Sequence, residues 1–348
     1  IWNIWSFFKW SWRFRIMSDL RINNITGRDG NSGPVIAGVS TVSTSAFMIM
    51  PNGNTEIRGA GSGRGLFGGG DPAINIIEYV TISSLGNAQD FGDLSTARRF
   101  PGACASATRG LFSSGLNDTI IDYVTISSGG GANDFGNKIR KGFSCHGLSD
   151  NTRGIFAGGY EPAGSVFRDT IEFVTMATTG DATDFGNLTV ESCHIGTSAS
   201  PTRGMMMGAS TPDDTNRVIS FITIQTTGNA QDFGSLTAPR DECAGASSST
   251  RAVVAGGDSP ANSNIVNRIE YVTIATTGDA QDFGDLTRAR SRIAGCSNKI
   301  RGVFATGRET EGPATYSNTI DYITFASTGN ATDFGDATGA THERAGCS

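Results

Sequence analysis

The tripeptide Asp-Phe-Gly occurs six times in this chain, at Asp90, Asp134, Asp184, Asp232, Asp282 and Asp333, at spacings of 44, 50, 48, 50 and 51 residues. In protein kinases the same tripeptide marks the aspartate that holds magnesium on ATP. A catalytic metal ligand is needed once per site. Six copies at a near-constant period describe an architecture instead. The Val-Ala-Ile-Lys and His-Arg-Asp signatures that accompany the tripeptide in kinases are absent.

Around each copy lies a unit of roughly 50 residues. The fifth is representative: "AGASSS" from Ala244, "TRAVVAGG" from Thr250, a Ser/Asn-rich loop, "NRIEYVTIATTG" from Asn267 and "DAQDFGDLTRAR" from Asp279. Short apolar runs stopped by glycine, and runs rich in β-branched and aromatic residues, read as strands and turns. In "IEYVTI", Ile77, Tyr79 and Thr81 share one face and Glu78, Val80 and Ile82 the other. Apolar groups on both faces imply burial on both sides. Each unit supplies about four strands, which predicts an all-β propeller of six four-stranded blades. "THERAGCS" from Thr341 starts another inner strand and stops. It belongs either to a seventh blade or to a strand that closes a six-bladed ring. The small-residue strand is expected at the axis, where blades converge. Phe91, Phe135, Phe185, Phe233, Phe283 and Phe334 are expected as wedges between blades.

Composition narrows the partner classes. Net charge is −6 and no basic block occurs after the first residues, which argues against nucleic acid. No run of 18 apolar residues exists, so no membrane-spanning helix is expected. Residues 1–16, "IWNIWSFFKWSWRFRI", hold all four tryptophans with Lys9, Arg13 and Arg15 interleaved. They lack the order of a signal peptide. A membrane-surface helix is conceivable, and the favoured reading is translated sequence upstream of Met17. Residues 17–54 read as an N-terminal arm and 55–348 as the propeller. The six cysteines fall one per repeat, which predicts small buried thiols in a reducing compartment rather than disulfides.

The order of Arg, apolar-apolar-x-Gly-Gly, Asn-x-Ile-Glu and an aromatic wedge resembles a kelch repeat over residues 56–348. Phe stands where the kelch wedge is usually Trp, and the Gly-Gly is degraded in repeats two, four and six. A second resemblance is more specific. "MSDLRINNITGRDGNSGPVIAGVSTVSTS" from Met17, followed by repeats of the "TTGNATDFGDLT" type (here "TTGDAQDFGDLT" from Thr276), resembles structural proteins of marine cyanophages with contractile tails. That resemblance implies a virion protein of the tail or its appendages, assembled in the host cytoplasm. Its arm would bind other virion proteins or sister subunits. Its propeller would bind a host-surface glycan or protein. A stand-alone kelch-type interaction propeller and a propeller enzyme acting on glycans are the alternatives.

Chemistry-bearing candidates are few, and no enzyme activity or cofactor is expected. Asp279, Asp282 and Asp285 offer oxygens at i, i+3 and i+6, a weak Ca²⁺ pattern. The plainer reading is that Asp279 caps its own turn. Cys145-His146 and Cys193-His194 are adjacent pairs whose side chains would point to opposite faces of a strand. The repeated Arg64, Arg109, Arg153, Arg203, Arg251 and Arg301 are expected to pair with turn aspartates or lie exposed. The loops after the Gly-Gly strand vary in length while the strands hold constant, which suits a binding face. Within them Tyr160, Glu161, Asp213, Asp214, Asn262, Asn264, Glu309 and Tyr316 are the candidate partner contacts.

Overall fold

The computed structural model describes residues 63–348 apart from 114, 116–117, 213–216, 260–263 and 310–314. The expected upstream segment at 1–16 and arm at 17–54 therefore lie outside the described residues. Those described form strands and turns without a helix. Six four-stranded antiparallel sheets form the blades of a propeller. In blade 5 the strands run outward as Ala244–Ser247, Arg251–Ala255, Arg268–Thr273 and Gln281–Asp285. Ile269, Glu270 and Val272 of the third strand are all buried, as a strand sandwiched between neighbouring sheets requires.

The inner strands Ala345–Cys347, Gly102–Ala105, His146–Ser149, Gly196–Ala199, Ala244–Ser247 and Ala294–Ser297 touch in that cyclic order around the axis. Ala345–Cys347 pairs with Arg64–Gly68, so the C-terminal strand is the innermost strand of blade 1. The ring thus closes with six blades. Small residues line the axis because nothing larger fits: a Cβ on Gly245 would sit 2.0 Å from the Thr197 carbonyl oxygen, and one on Gly295 2.3 Å from that of Gly245. At one end of these strands, serines bridge the blades. Ser247 Oγ donates to Ala199 O (2.8 Å), and Ser297 Oγ donates to Ser247 O (2.9 Å) while accepting from Ser247 N (3.2 Å). Ser297→Ala leaves that buried backbone without its partner. A loss of about 1–3 kcal/mol is expected, read as a lowered thermal midpoint.

Asp-Phe-Gly is the seam between blades. The six phenylalanines are 2–5 % exposed. Phe283 meets Tyr271 of its own blade edge-on, with centroids 5.8 Å apart, and packs with Ile323 and Phe325 of blade 6. Its carbonyl accepts from the Gly329 amide of that blade at 2.7 Å. Gly284, at φ +146°, must be glycine because a Cβ would lie 2.4 Å from Gly329 O. The same carbonyl-to-glycine bond recurs at all six junctions, from Phe91–Gly130 to Phe334–Gly86.

The repeated arginines differ from expectation. They neither pair with turn aspartates nor stand free. Each guanidinium lies 4.4–4.9 Å from the centroid of the third-strand aromatic of its own blade. Each also donates to a carbonyl of the next blade at 2.5–3.2 Å, as Arg203 does to Ile274 O. An aromatic face attracts a cation and a carbonyl accepts its protons, so these six residues clip blade to blade.

A second interblade device escaped the sequence reading altogether. Arg98–Asp122 (2.7 Å), Arg240–Glu270 (3.1 Å), Arg290–Asp321 (2.6 Å) and Arg344–Glu78 are buried ion pairs between consecutive blades. At the junction of blades 2 and 3 the acid is Glu172. Burial raises its pKa, and the nearby Lys138 charge acts against that. At the junction of blades 3 and 4 both partners are gone. Ser192 and Ser220 stand in the two places and line a small cavity with Leu188, Ile195 and Met206.

Candidate functional site at the axial mouth

Antiparallel pairing decides which loops share a face. Ala244 lies opposite Ala255, so the entry to the inner strand sits beside the loop that follows the second strand. The bridge Asp241–Asp258 ties the two together. Among the described residues, Asp71, Tyr160, Ser210 and Arg308 at the starts of other loops bridge to the entries of inner strands in the same way.

At each entry one residue, two positions before the first inner-strand residue, takes a left-handed backbone without being glycine. These are Phe100, Ser144, His194, Glu242, Arg292 and Glu343, with φ between 52° and 58°. Such a conformation costs about 1–3 kcal/mol per residue and clusters at functional sites. The backbone is held by bonds passed from blade to blade: Ser144 N to Phe100 O (3.1 Å), His194 N to Ser144 O (3.3 Å), Arg292 N to Glu242 O (2.7 Å) and Glu343 N to Arg292 O (3.0 Å). All six side chains line one cavity at the mouth of the axial channel. The phenylalanine wedges and arginine clips agree in kind in every repeat. Here the repeats supply an aromatic, a hydroxyl, an imidazole, a guanidinium and two carboxyls.

The mouth divides into two sectors. In one, Arg292 bridges the carboxylates of neighbouring blades, at 2.8 Å from Glu242 and in contact with Glu343. Burial raises the pKa of Glu242, but the Arg292 hydrogen bond, with His194 and Arg308, outweighs it and holds the group below its ordinary value. Glu343 is pushed up to about 8 by burial, against the pull of Arg292, with Asp71 and Glu242 adding repulsion. In the other sector, Ser144 Oγ lies 2.8 Å from His194 Nε2, and the Phe100 ring lies 5.6 Å from the imidazole. Burial takes His194 down to about 4, so it is neutral at pH 7.

Two of the loop residues singled out from sequence reach this mouth through relays. Tyr160 packs on Phe143 (5.6 Å), which packs on Phe100 (4.8 Å); Phe167 extends the row on the far side of Tyr160. Tyr316 stacks on His342 at 4.4 Å and 15°, next to Glu343 in the chain. Glu161 forms an ion pair with Arg168, and Glu309 lies 3.4 Å from Arg288. Asn264 is exposed on a two-residue strand. Asp213, Asp214 and Asn262 lie outside the described residues.

Other candidates fall into structural roles. Asp279 does not cap its own turn: its Oδ1 accepts from Ser235 N of the preceding blade at 2.9 Å, and Asn330 does the same for Asp285 N at 3.1 Å. Asp282 lies opposite Glu270 in the blade 5 sheet. Among the described residues the group whose possible metal-ligating atoms converge is Asp71, His342 and Glu343 instead. The pair Cys193-His194 also breaks the expected alternation. His194 is left-handed and precedes its strand, so its Nδ1 turns to 3.3 Å from Cys193 Sγ. All six cysteines are buried and free.

The mouth residues lie outside the loops whose length varies, so loop length does not mark them. The available signal was the single position before each small-residue strand that changes chemical type in every repeat. Compared with protein-family models and with curated proteins, the sequence matches none.

Proposed function

We propose that this chain is a binding module, acting by recognition rather than catalysis. Its axial mouth and the loops around it would grip a protein or glycan partner. The observation that carries this reading is the ring of six left-handed residues of five chemical types set into an otherwise repetitive frame. A symmetric scaffold has no structural use for such varied side chains held at strained backbone. A recognition surface does, since aromatic and arginine side chains in partly desolvated positions dominate binding energy. The resemblance to contractile-tailed cyanophage proteins gives the module its setting, a virus particle in which residues 17–54 anchor the propeller and the mouth meets the host surface.

The test of recognition is binding of the purified chain to host-envelope polysaccharide and protein fractions. Phe100→Ala is expected to weaken the productive interaction at least about tenfold, with little change in the unfolding midpoint. Undiminished binding by both Phe100→Ala and Tyr160→Ala would remove the mouth from the account. The setting is tested separately by peptide mass spectrometry of purified particles. Deletion of residues 17–54 should abolish incorporation while the propeller unfolds as before.

A further inference from the structure

We propose that Asp71, His342 and Glu343 form a binding site for a divalent transition-metal ion of the zinc class. The inference goes beyond the recognition reading and stands without it. His342 Nε2 lies 3.5 Å from Asp71 Oδ2 and 3.6 Å from Glu343 Oε1. Around a four-coordinate ion with ligands at about 2.0–2.1 Å, neighbouring ligand atoms stand about 3.4 Å apart. The three ligand atoms all fall within 4.8 Å of one another.

Geometry alone would describe many acidic clusters. Here a second observation points to a ligand. Glu343 is 6 % exposed and His342 2 %. Yet Glu343 Oε2 and His342 Nδ1 have no hydrogen-bond partner. Leaving such a group buried and unsatisfied is costly. Arg292 occupies only Oε1 of Glu343, so the second oxygen of that carboxylate is left with nothing bonded to it.

The surroundings fix the three groups as metal sites require. Tyr316 lies flat on the His342 ring. The Asp71 amide donates to His342 O at 2.8 Å and the Thr341 hydroxyl donates to Asp71 O at 3.1 Å, which holds the two segments in register. Arg99 bonds Asp71 Oδ2 at 3.0 Å, and Arg292 takes Oε1 of Glu343. Those guanidiniums orient the carboxylates from outside, as hydrogen-bond partners behind metal ligands do. An imidazole with two carboxylates suits zinc or manganese better than calcium or magnesium, whose ligands are oxygens. Three protein ligands leave a further position for water or a partner's group.

The experiment is titration of the full chain, stripped with chelator, with zinc, manganese and calcium ions, followed by calorimetry and by competition with a chromogenic chelator. Saturable uptake of one zinc per chain is expected, with manganese weaker and calcium absent. Asp71→Asn and His342→Ala should each weaken zinc at least about tenfold, while Asp279→Asn leaves it unchanged. Asp71 is partly exposed, and its amide variant keeps the shape. The zinc-free thermal midpoint of Asp71→Asn should stay near that of the wild type while its zinc-induced rise disappears. No saturable zinc binding would overturn the proposal. So would binding of equal strength in Asp71→Asn, which would place the ion elsewhere, such as on the buried thiols.

Discussion

Arg290→Ser is expected to destabilise the propeller by about 3–5 kcal/mol, because it strands Asp321 as a buried charge. Arg290 and Asp321 side chains are both fully buried and 2.6 Å apart. Asp321 keeps two donors, the Thr287 hydroxyl at 2.7 Å and the Thr287 amide at 3.3 Å, so the carboxylate is not wholly abandoned. The informative variant is the double one, Arg290→Ser with Asp321→Ser. It copies into the junction of blades 5 and 6 what blades 3 and 4 already have in Ser192 and Ser220. Removing both charges together also removes the desolvation cost, which the surviving partner otherwise bears alone. The double variant should therefore be more stable than Arg290→Ser, and its loss should fall short of the sum of the two single losses by a coupling of about 0.5–3 kcal/mol. Urea unfolding of the four proteins closes the cycle. Losses that simply add would mean that the two charges do not act as a pair.

The ion pairs show where sequence reading of a repeat protein stops. Strand order, axial small residues and phenylalanine wedges were legible because each rests on a residue type that must recur at every junction, whereas the choice between six and seven blades needed the pairing of Ala345–Cys347 with Arg64–Gly68. The acids recur as well: Glu78, Asp122, Glu172, Glu270 and Asp321 hold one place in the third strand. Their cations do not. Arg98, Arg240 and Arg290 come seven residues after the wedge phenylalanine, Arg344 ten, and Lys138 only three. Two points of departure reach equivalent acids, and the Lys138 ammonium is 3.3 Å from Cys145 Sγ with its charge near Glu172, so no single spacing runs through the ring for a period to reveal. The arginine clips were visible as a repeat and misassigned for a different reason. Their acceptors are carbonyls of the next blade, and a carbonyl has no letter in a sequence. The axial mouth was hidden by the opposite cause. Its six residues share a backbone conformation and span five chemical types, so alignment of the repeats makes them look like noise.

The wedge carries the other large effect. Phe283→Ala should cost about 3–5 kcal/mol, the range for removing a buried aromatic from a core that cannot collapse around the space. Collapse is opposed here by the frame on both sides. Gly284 already approaches the blade 6 backbone as closely as a glycine can, and the Phe283 carbonyl is bonded to Gly329. Tyr271 could lean into the space only by leaving the Arg251 guanidinium stacked 4.9 Å away and the Gln281 oxygen at 2.8 Å. Phe283→Leu, which refills part of the volume, should recover a substantial part of the loss. Phe283 and Arg290 serve the same junction, so Phe283→Ala combined with Arg290→Ser should cost less than the sum of the two, since either alone loosens the contact between blades 5 and 6. Phe135→Ala combined with Arg290→Ser, at separate junctions, should come close to additive. Equal coupling in both combinations would mean that the ring yields as a whole, with the junctions not acting as separate units of stability. Unfolding midpoints in urea, with slopes compared between variants, distinguish the two.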